Sequence, residues 1–337
     1  MMIKEKTVRW GILSTAKIGR TKVIPGMQGS RTGQAVAIAS RHQDSARRAA
    51  EELGLEKAFG SYEELLADPD IDAVYNPLPN HMHVPMTIEA VRAGKHVLCE
   101  KPIALSAEEA RQLLDLPKDK LVAEGFMVRA HPQWMRAREI VRSGELGDLR
   151  VIQGFFSYFN ADPGNIRNQP DIGGGGLMDI GCYPMLAGRY FFEAEPERVL
   201  SLIDLDPEFG TDRLASALLD FGGGRRLDFT VSTQLVPYQR LHLLGTKKRL
   251  EIVIPFNAPQ GEATSLGLDD GSALGDASMR PEIIPPSNQY AEMVDVFGRA
   301  VLGSEPLPYG IEDAVQNMKV MDALFQSEKA DGWVSID

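Results

Sequence analysis

The sequence predicts an α/β chain in two parts. A parallel sheet with helices on both faces occupies residues 1–125, and an α+β part with a large, open, mostly antiparallel sheet occupies residues 126–337. Three observations predict it. Short apolar runs alternate with helical stretches as far as Gly125. Beyond Gly125 the runs lengthen and alternate with polar residues. Tight turns such as Gly222-Gly223-Gly224 and Gly245-Thr246 then separate neighbouring runs, as in an antiparallel sheet. A length of 337 residues accommodates two hydrophobic cores.

The elements follow in order. Val8 to Leu13 is a short apolar strand ending in small residues, and Lys17 to Met27 suits the first helix although Pro25 weakens its end. Ala35 to Ser40 is a strand and Asp44 to Leu53 a helix. Tyr62 to Ala67 is a short helix, Ala73 to Asn76 a strand, and Val84 to Ala93 a helix stopped by Gly94. His96 to Cys99, Ala107 to Asp115 and Leu121 to Ala123 read as strand, helix and strand. His131 to Arg142 is a helix. Strands are expected at Leu149 to Tyr158, Val199 to Leu205, Leu214 to Phe221, Arg226 to Thr233, Leu241 to Leu244 and Arg249 to Ile254. Gln260 to Ser278 is rich in glycine and polar residues and reads as a loop or weak edge. Helices near Gln289 to Leu302 and Glu312 to Glu328 close the chain. One face of the second sheet lacks obvious helical cover. Val151, Phe155, Leu218, Phe229 and Val231 are expected to give it apolar surface for a second subunit.

Lys and Arg total 36 against 47 Asp and Glu, a net charge of −11. That balance argues against nucleic acid or an anionic membrane as the partner. Two cysteines, Cys99 and Cys182, suggest no disulfide framework and read as packing residues. Met1 to Arg9 carries charges without an apolar leader core, and no run reaches transmembrane length. A reducing cytoplasm is the expected compartment.

Chemistry concentrates at strand ends. Ser14-Thr15-Ala16-Lys17-Ile18-Gly19 stands at the first strand-to-helix turn, where a dinucleotide fingerprint would read G-x-G-x-x-G. Ser14 and Ala16 replace two glycines with other small residues, so the turn reads equally as a pyrophosphate cradle or as a plain connection. Ser40-Arg41 ends the second strand, where an acid would bind the 2′-hydroxyl of NAD. A hydroxyl and a guanidinium there suit the 2′-phosphate of NADP; the bland alternative is a solvated arginine. Asn76 to His83 forms a rigid loop with two prolines, in which Asn80 is a plausible cap. Its histidines, His81 and His83, stand at i and i+2 and do not share a helix face. No acid–histidine cluster completes a metal site, and no metal is expected.

Glu100-Lys101-Pro102 places a cation at the carboxyl edge of the first sheet, where open α/β folds bind ligands. Gly174-Gly175-Gly176-Leu177-Met178-Asp179-Ile180-Gly181-Cys182-Tyr183 is a glycine-softened helix start that sets Asp179 and Tyr183 on one face. Taken singly, these are a surface lysine, a capping acid and a half-buried aromatic. In this order behind a nucleotide domain they are an acid–base set.

These motifs resemble those of the Gfo/Idh/MocA oxidoreductase family over nearly the whole chain. The family implies an N-terminal Rossmann dinucleotide-binding domain and a C-terminal α+β domain often used for oligomer contacts. Many members carry histidine where this chain has Tyr183. The tyrosine form resembles the branch holding dimeric dihydrodiol dehydrogenase, NADP-dependent D-xylose dehydrogenases and glucose–fructose oxidoreductase. Trp10-Gly11-Ile12-Leu13-Ser14-Thr15-Ala16 and Ser40-Arg41 resemble it too. The resemblance implies catalytic roles for Lys101 and Tyr183, with Asp179 on the substrate side, and a cis Lys101–Pro102 peptide. It implies cofactor contacts from Ser14, Thr15, Ala16, Lys17, Ile18, Ser40, Arg41, Asn80, His83, Glu100, Lys101 and Arg129. His131, Asn165 and Arg167 are similar to residues near the substrate in that branch, and Arg167 reads equally as a surface or interface residue. The implied activity is NADP(H)-dependent oxidation of the C1 hydroxyl of an aldopyranose, or of a cyclic diol, by a homodimer or a tetramer of dimers. Two alternatives stay open: an NAD-dependent glycosidase, and a non-enzymatic NADP-binding sensor of the same fold.

Overall fold

The structure, a computed structural model, describes residues 6–336. The chain packs as two compact units. One comprises the residues up to Ala130 together with Asn288–Val315; the other comprises His131–Ser287 with the residues from Gln316.

In the first unit, six strands form a wholly parallel sheet: β1 (Val8–Leu13), β2 (Gly33–Ala39), β3 (Lys57–Phe59), β4 (Ala73–Asn76), β5 (His96–Cys99) and β6 (Val122–Glu124). Their order is β3-β2-β1-β4-β5-β6. The order reverses between β1 and β4, and ligands of such sheets bind beyond the carboxyl ends of the strands at that switch. A π-helical turn, Gly19–Val23, runs into α1 (Ile24–Gln28). The other helices are α2 (Gln43–Leu53), α3 (Tyr62–Ala67), α4 (His83–Arg92) and α5 (Ala107–Arg111). β1 apart from Arg9, and the whole of β4, are buried, which fits their mostly apolar character.

The division differs from a single boundary at residue 125, because α8 (Gln289–Val301) returns to the first unit. Phe297 packs on Trp10 with ring centroids 5.5 Å apart. The buried Asp295 carboxylate accepts bonds from Ser30 Oγ at 2.6 Å and from the Arg31 and Thr32 amides at 2.9 Å. A buried carboxylate satisfied in this way locks the helix to the turn before β2.

The second unit opens with α6 (Pro132–Arg142), capped by His131, whose Nδ1 accepts from the Gln133 amide at 3.1 Å. Nine strands form its sheet: β7 (Leu149–Phe159), β8 (Arg198–Leu205), β9 (Asp212–Asp220), β10 (Arg226–Ser232), β11 (Gln234–Gly245), β12 (Arg249–Ile252), β13 (Thr264–Asp269), β14 (Arg280–Ile284) and β15 (Val334–Ser335). The order is β14-β13-β12-β11-β7-β10-β9-β8-β15, with β7 and β10 parallel and every other pair antiparallel. A second π-helical turn, Leu177–Gly181, continues into α7 (Cys182–Phe192), all of whose residues are buried. A Cβ at Gly154 would lie 2.8 Å from Pro184, so this glycine lets α7 lie directly on β7. The last helix is α9 (Ile311–Ala330).

The opposite sheet face exposes or half-exposes Val151, Phe155, Leu200, Leu202, Leu218 and Tyr238. Phe229 and Val231 are not among them; they are 2% and 0% exposed. Side chains alternate along a strand, and in β10 these two share the parity of the buried Leu227, under α7.

Candidate active site

In the first unit the candidate cofactor residues gather at the carboxyl edge of the parallel sheet. β1 delivers the chain to Ser14, whose φ of +82° lies in the left-handed region that glycine enters without cost. Its hydroxyl closes the turn by accepting from the Ala16 amide at 3.2 Å. Ser14, Thr15, Ala16 and Ile18 are half-buried and Lys17 is exposed, so small residues flank the backbone before the π-turn.

The buried Ser40 directly follows β2, with Arg41 and His42 exposed beside it. His42 is the N-cap of α2 and its side chain makes no capping bond. The first amides of α2 thus have no side-chain cap next to a hydroxyl and a guanidinium. Such a set fits a phosphate, through the positive end of the helix, a charge and an N–H array. Arg41 also acts on the Tyr62 phenol, which burial pushes up and the guanidinium draws down.

After β4, the buried Asn76 donates to His83 O at 3.2 Å and accepts from the Leu78 amide at 3.3 Å. Asn80 opens a single 3-10 turn, Asn80–Met82, and is half-buried. His83 is 1% exposed, with Nδ1 2.7 Å from Pro102 O and Nε2 2.7 Å from Leu78 O. Burial pushes this imidazole down to about 4. Near neutrality the ring therefore carries one N–H, which donates to one of the two carbonyls. His83 thus braces two turns, with both ring nitrogens facing protein carbonyls.

The Lys101–Pro102 peptide is cis. Its turn is pinned on three sides. The Glu100 amide donates to Asn76 O at 3.0 Å, the Ile103 amide to Glu124 Oε1 at 2.8 Å, and the Tyr75 hydroxyl to Glu100 Oε1 at 2.6 Å. Burial, and then Glu100, hold the Tyr75 phenol well above its usual range, so it stays a donor. Lys101 is half-buried at the head of this turn. Arg129 is committed inside the same unit. Its Nη1 lies 2.5 Å from Asp313 Oδ2, its guanidinium stands 4.0 Å over the Tyr309 ring, and its side chain is 8% exposed. These contacts form a desolvated cation–π and ion-pair clamp.

The second unit supplies the helix start foreseen at Gly174–Tyr183. Asp179 lies in the π-turn and Tyr183 in the first turn of α7. Tyr183 is 4% exposed, and its ring packs on Phe156 and Phe256 at 5.9 and 5.5 Å. Asp179 Oδ2 accepts from the Tyr158 hydroxyl at 2.5 Å and pairs with Arg167 Nε at 2.8 Å. Asn165 places Arg167: it caps a 3-10 turn, Ile166–Asn168, by accepting from the Arg167 amide at 3.0 Å. The charge of Asp179 foremost, then Tyr158 and Tyr183, raise the Arg167 guanidinium above its ordinary value. By reciprocity, a phenolate at either tyrosine gains from Arg167.

The structure thus joins Asp179, Arg167 and Tyr158 into one cluster electrostatically coupled to Tyr183. Tyr158 escaped the sequence reading, although its parity with the buried Ile152 and Phe156 in β7 puts it on the α7 face. His131 belongs to the scaffold. It is 1% exposed, caps α6, and is pushed by burial down to about 4. No group of three or more His, Cys, Asp or Glu residues that could hold a metal occurs among the described residues. Cys99 and Cys182 are buried and are not joined in a disulfide, and the Cys182 thiol donates to Asp179 O at 3.6 Å. No helix among the described residues is long and apolar enough to cross a membrane.

The model of an oxidoreductase family with an NAD-binding Rossmann fold matches residues 8–126, and that of the GFO/IDH/MocA C-terminal domain matches residues 134–251. An uncharacterized oxidoreductase of Rhizobium meliloti is 46% identical over 98% of this chain and 99% of its own length. A D-xylose 1-dehydrogenase (NADP(+)) of Haloferax volcanii is 38% identical over 97% of this chain and 99% of its own. Among solved structures, a 3-ketoreductase of Actinomadura kijaniata, in complex with NADP and TDP-benzene, superimposes with a TM-score of 0.88. It is 29% identical and the match covers 96% and 98% of the two chains.

Proposed function

The chain belongs to the Gfo/Idh/MocA oxidoreductase family, and from that premise we propose that it is an NADP(H)-dependent dehydrogenase of an aldopyranose, xylose- or glucose-like, or of a cyclic diol. The observation that carries the reading is the Asp179–Tyr158–Arg167 cluster beside Tyr183. It combines a carboxylate, a guanidinium and phenols, the donors and acceptors that a polyhydroxylated ring requires.

Hydride transfer at the substrate carbon is the chemistry a nicotinamide cofactor supplies when bound. Ser14 to Ile18, Ser40, Arg41, Asn80, Glu100 and Lys101 are the residues assigned to hold it. Ser40 and Arg41, beside the α2 start that lacks a side-chain cap, favour the 2′-phosphate of NADP over the hydroxyl of NAD. The protein's own part is position and proton handling. Tyr183 takes the proton of the C1 hydroxyl as the hydride leaves the same carbon, and the product is a lactone, or a ketone for a diol. Arg167 supplies, from within the same unit, positive charge that favours tyrosinate at Tyr183, and Lys101 is assigned a catalytic role at the carboxyl edge of the first sheet. Asp179 accepts a hydroxyl of the sugar. A homodimer or a tetramer of dimers, assembled through the open sheet face, in the reducing cytoplasm, completes the proposal.

A second reading is the same chemistry run as reduction of a keto group on a nucleotide-linked sugar. The likeness to a dTDP-3,4-didehydro-2,6-dideoxy-alpha-D-glucose 3-reductase of Actinomadura kijaniata, 30% identical over 94% of this chain, favours it. A panel of aldoses, cyclic diols and nucleotide-linked keto sugars, assayed with both cofactors by nicotinamide absorbance, tests the two. Reductant accumulating with an aldose or a diol and NADP supports the first, and oxidation of NADPH by the keto sugar alone supports the second. Cleavage of a glycoside without net reduction, or no turnover on any of them, refutes both.

A further inference from the structure

We infer that Asp212, from the start of β9, is a positioning residue that sets Asp179 and Tyr183 by capping their helix from outside. The inference rests on the proposed roles of those two residues. The helix has no side-chain cap of its own: Gly176 is the N-cap and contributes no side chain. A helix start leaves several amides without partners, and burial makes them costly unless something else accepts from them. Asp212 does so across the fold. Its Oδ2 accepts from the Leu177 amide at 2.6 Å. The residue is 3% exposed, so no water competes effectively for this bond.

The run of four glycines, Gly173 to Gly176, independently marks the same contact. A Cβ at Gly175 would stand 1.9 Å from Asp212 Oδ1 and 2.9 Å from its Cγ, and Gly175 has a φ of +117°. Any side chain there would displace the carboxylate. A Cβ at Gly174 would meet Arg167 O at 2.6 Å, and the Gly175 amide donates to Arg167 O at 2.8 Å. The glycine turn therefore joins the capping carboxylate on one side to the residue that pairs with Asp179 on the other. Asp179 follows Leu177 by two residues and Tyr183 by six, so the cap fixes where both side chains stand. Burial pushes the Asp212 carboxyl up to about 7 against its N–H donors, and Asp179 adds to the rise, which places the two acids in one electrostatic neighbourhood.

The test compares Asp212→Ala and Asp212→Asn with the full-length wild type. The asparagine keeps the shape and one acceptor oxygen. Turnover should fall roughly 10- to 100-fold in the alanine variant, the scale expected when reacting groups shift by about 1 Å. The asparagine variant should recover part of that loss, and NADP affinity should stay within about twofold in both. Hydrogen exchange of the peptide spanning residues 175–186, measured without cofactor or substrate, should accelerate in the alanine variant and less in the asparagine variant. Unchanged turnover in a folded alanine variant, or exchange that accelerates equally everywhere, overturns the inference. If the wild type is inert on every substrate but the exchange is localised as expected, the capping geometry stands and the functional reading is what fails.

Discussion

Asp179→Asn is the substitution that most sharply probes the cluster on the second unit. It keeps the side-chain shape and removes the charge shared by Tyr158 at 2.5 Å and Arg167 at 2.8 Å. A hydrogen bond to a charged group contributes about 1.5–3 kcal/mol and a neutral one about 0.5–1.5, so two weakened bonds cost about 2–3 kcal/mol. Arg167 is 43% exposed, so water screens the guanidinium left behind and the larger penalty of a buried unpaired charge does not apply. The expected loss of stability is therefore about 2 kcal/mol. Arg167→Gln removes the partner, and the double variant should lose less than the sum of the singles by about 1 kcal/mol or more. Urea unfolding of the four proteins by circular dichroism, with the transitions of the two units fitted separately, measures that coupling. Additivity within about 0.3 kcal/mol would refute the cluster as a unit. Turnover of Asp179→Asn should also drop at least tenfold with NADP affinity unchanged.

Three further outcomes are expected. Arg41→Ala should lose roughly tenfold to a hundredfold in NADP affinity and little in NAD affinity, the worth of one charge-assisted bond; tighter NAD than NADP binding by the wild type in a fluorescence titration would contradict the assignment. His83 is held near 4 against an ordinary 6.5, so the folded state refuses a proton that the unfolded chain takes. Its stabilising contribution is then present above about pH 6.5 and lost as pH falls toward 4, about 3 kcal/mol in all. Urea midpoints across that window should flatten in His83→Gln; an unchanged slope would show that the ring is not held neutral. Leu202 is 73% exposed on the open sheet face, and Leu202→Glu should turn a wild-type dimer or tetramer into monomers by light scattering. A wild-type monomer at assay concentration would remove that face as an interface.

Much of the fold was legible because the first unit obeys simple patterns. α3, β4 and β5 fall where their apolar runs and flanking breakers put them. β3 has only three residues and β15 two, too short to show a period. The edge strand β14 carries Pro281, and its neighbour β13 carries Gly267 within a glycine-rich stretch, so both strands resemble loops. β11 begins at Gln234 rather than at Leu241, because a register shift between Gln234 and Tyr238, containing Pro237, breaks its alternation. The misplacement of Phe229 and Val231 came from reading apolar character without parity. At the site, Lys101, Asp179 and Tyr183 stood out by motif. Two of their supports did not: Tyr158 and Asp212 act through bonds to residues 21 and 35 positions away, which no local spacing reveals.

The central claim is that Tyr183 handles the proton of a hydride transfer, and Tyr183→Phe tests it most directly. The ring contacts with Phe156 and Phe256 survive this change and only the hydroxyl is lost. Single-turnover nicotinamide absorbance on the best substrate of the panel, with NADP affinity measured on the same preparation, is the decisive measurement. Turnover roughly 10²–10⁴ lower at unchanged NADP affinity is the result expected of a lost acid–base group. A near wild-type rate from the folded, NADP-binding variant would contradict the mechanism while leaving the fold and the family intact.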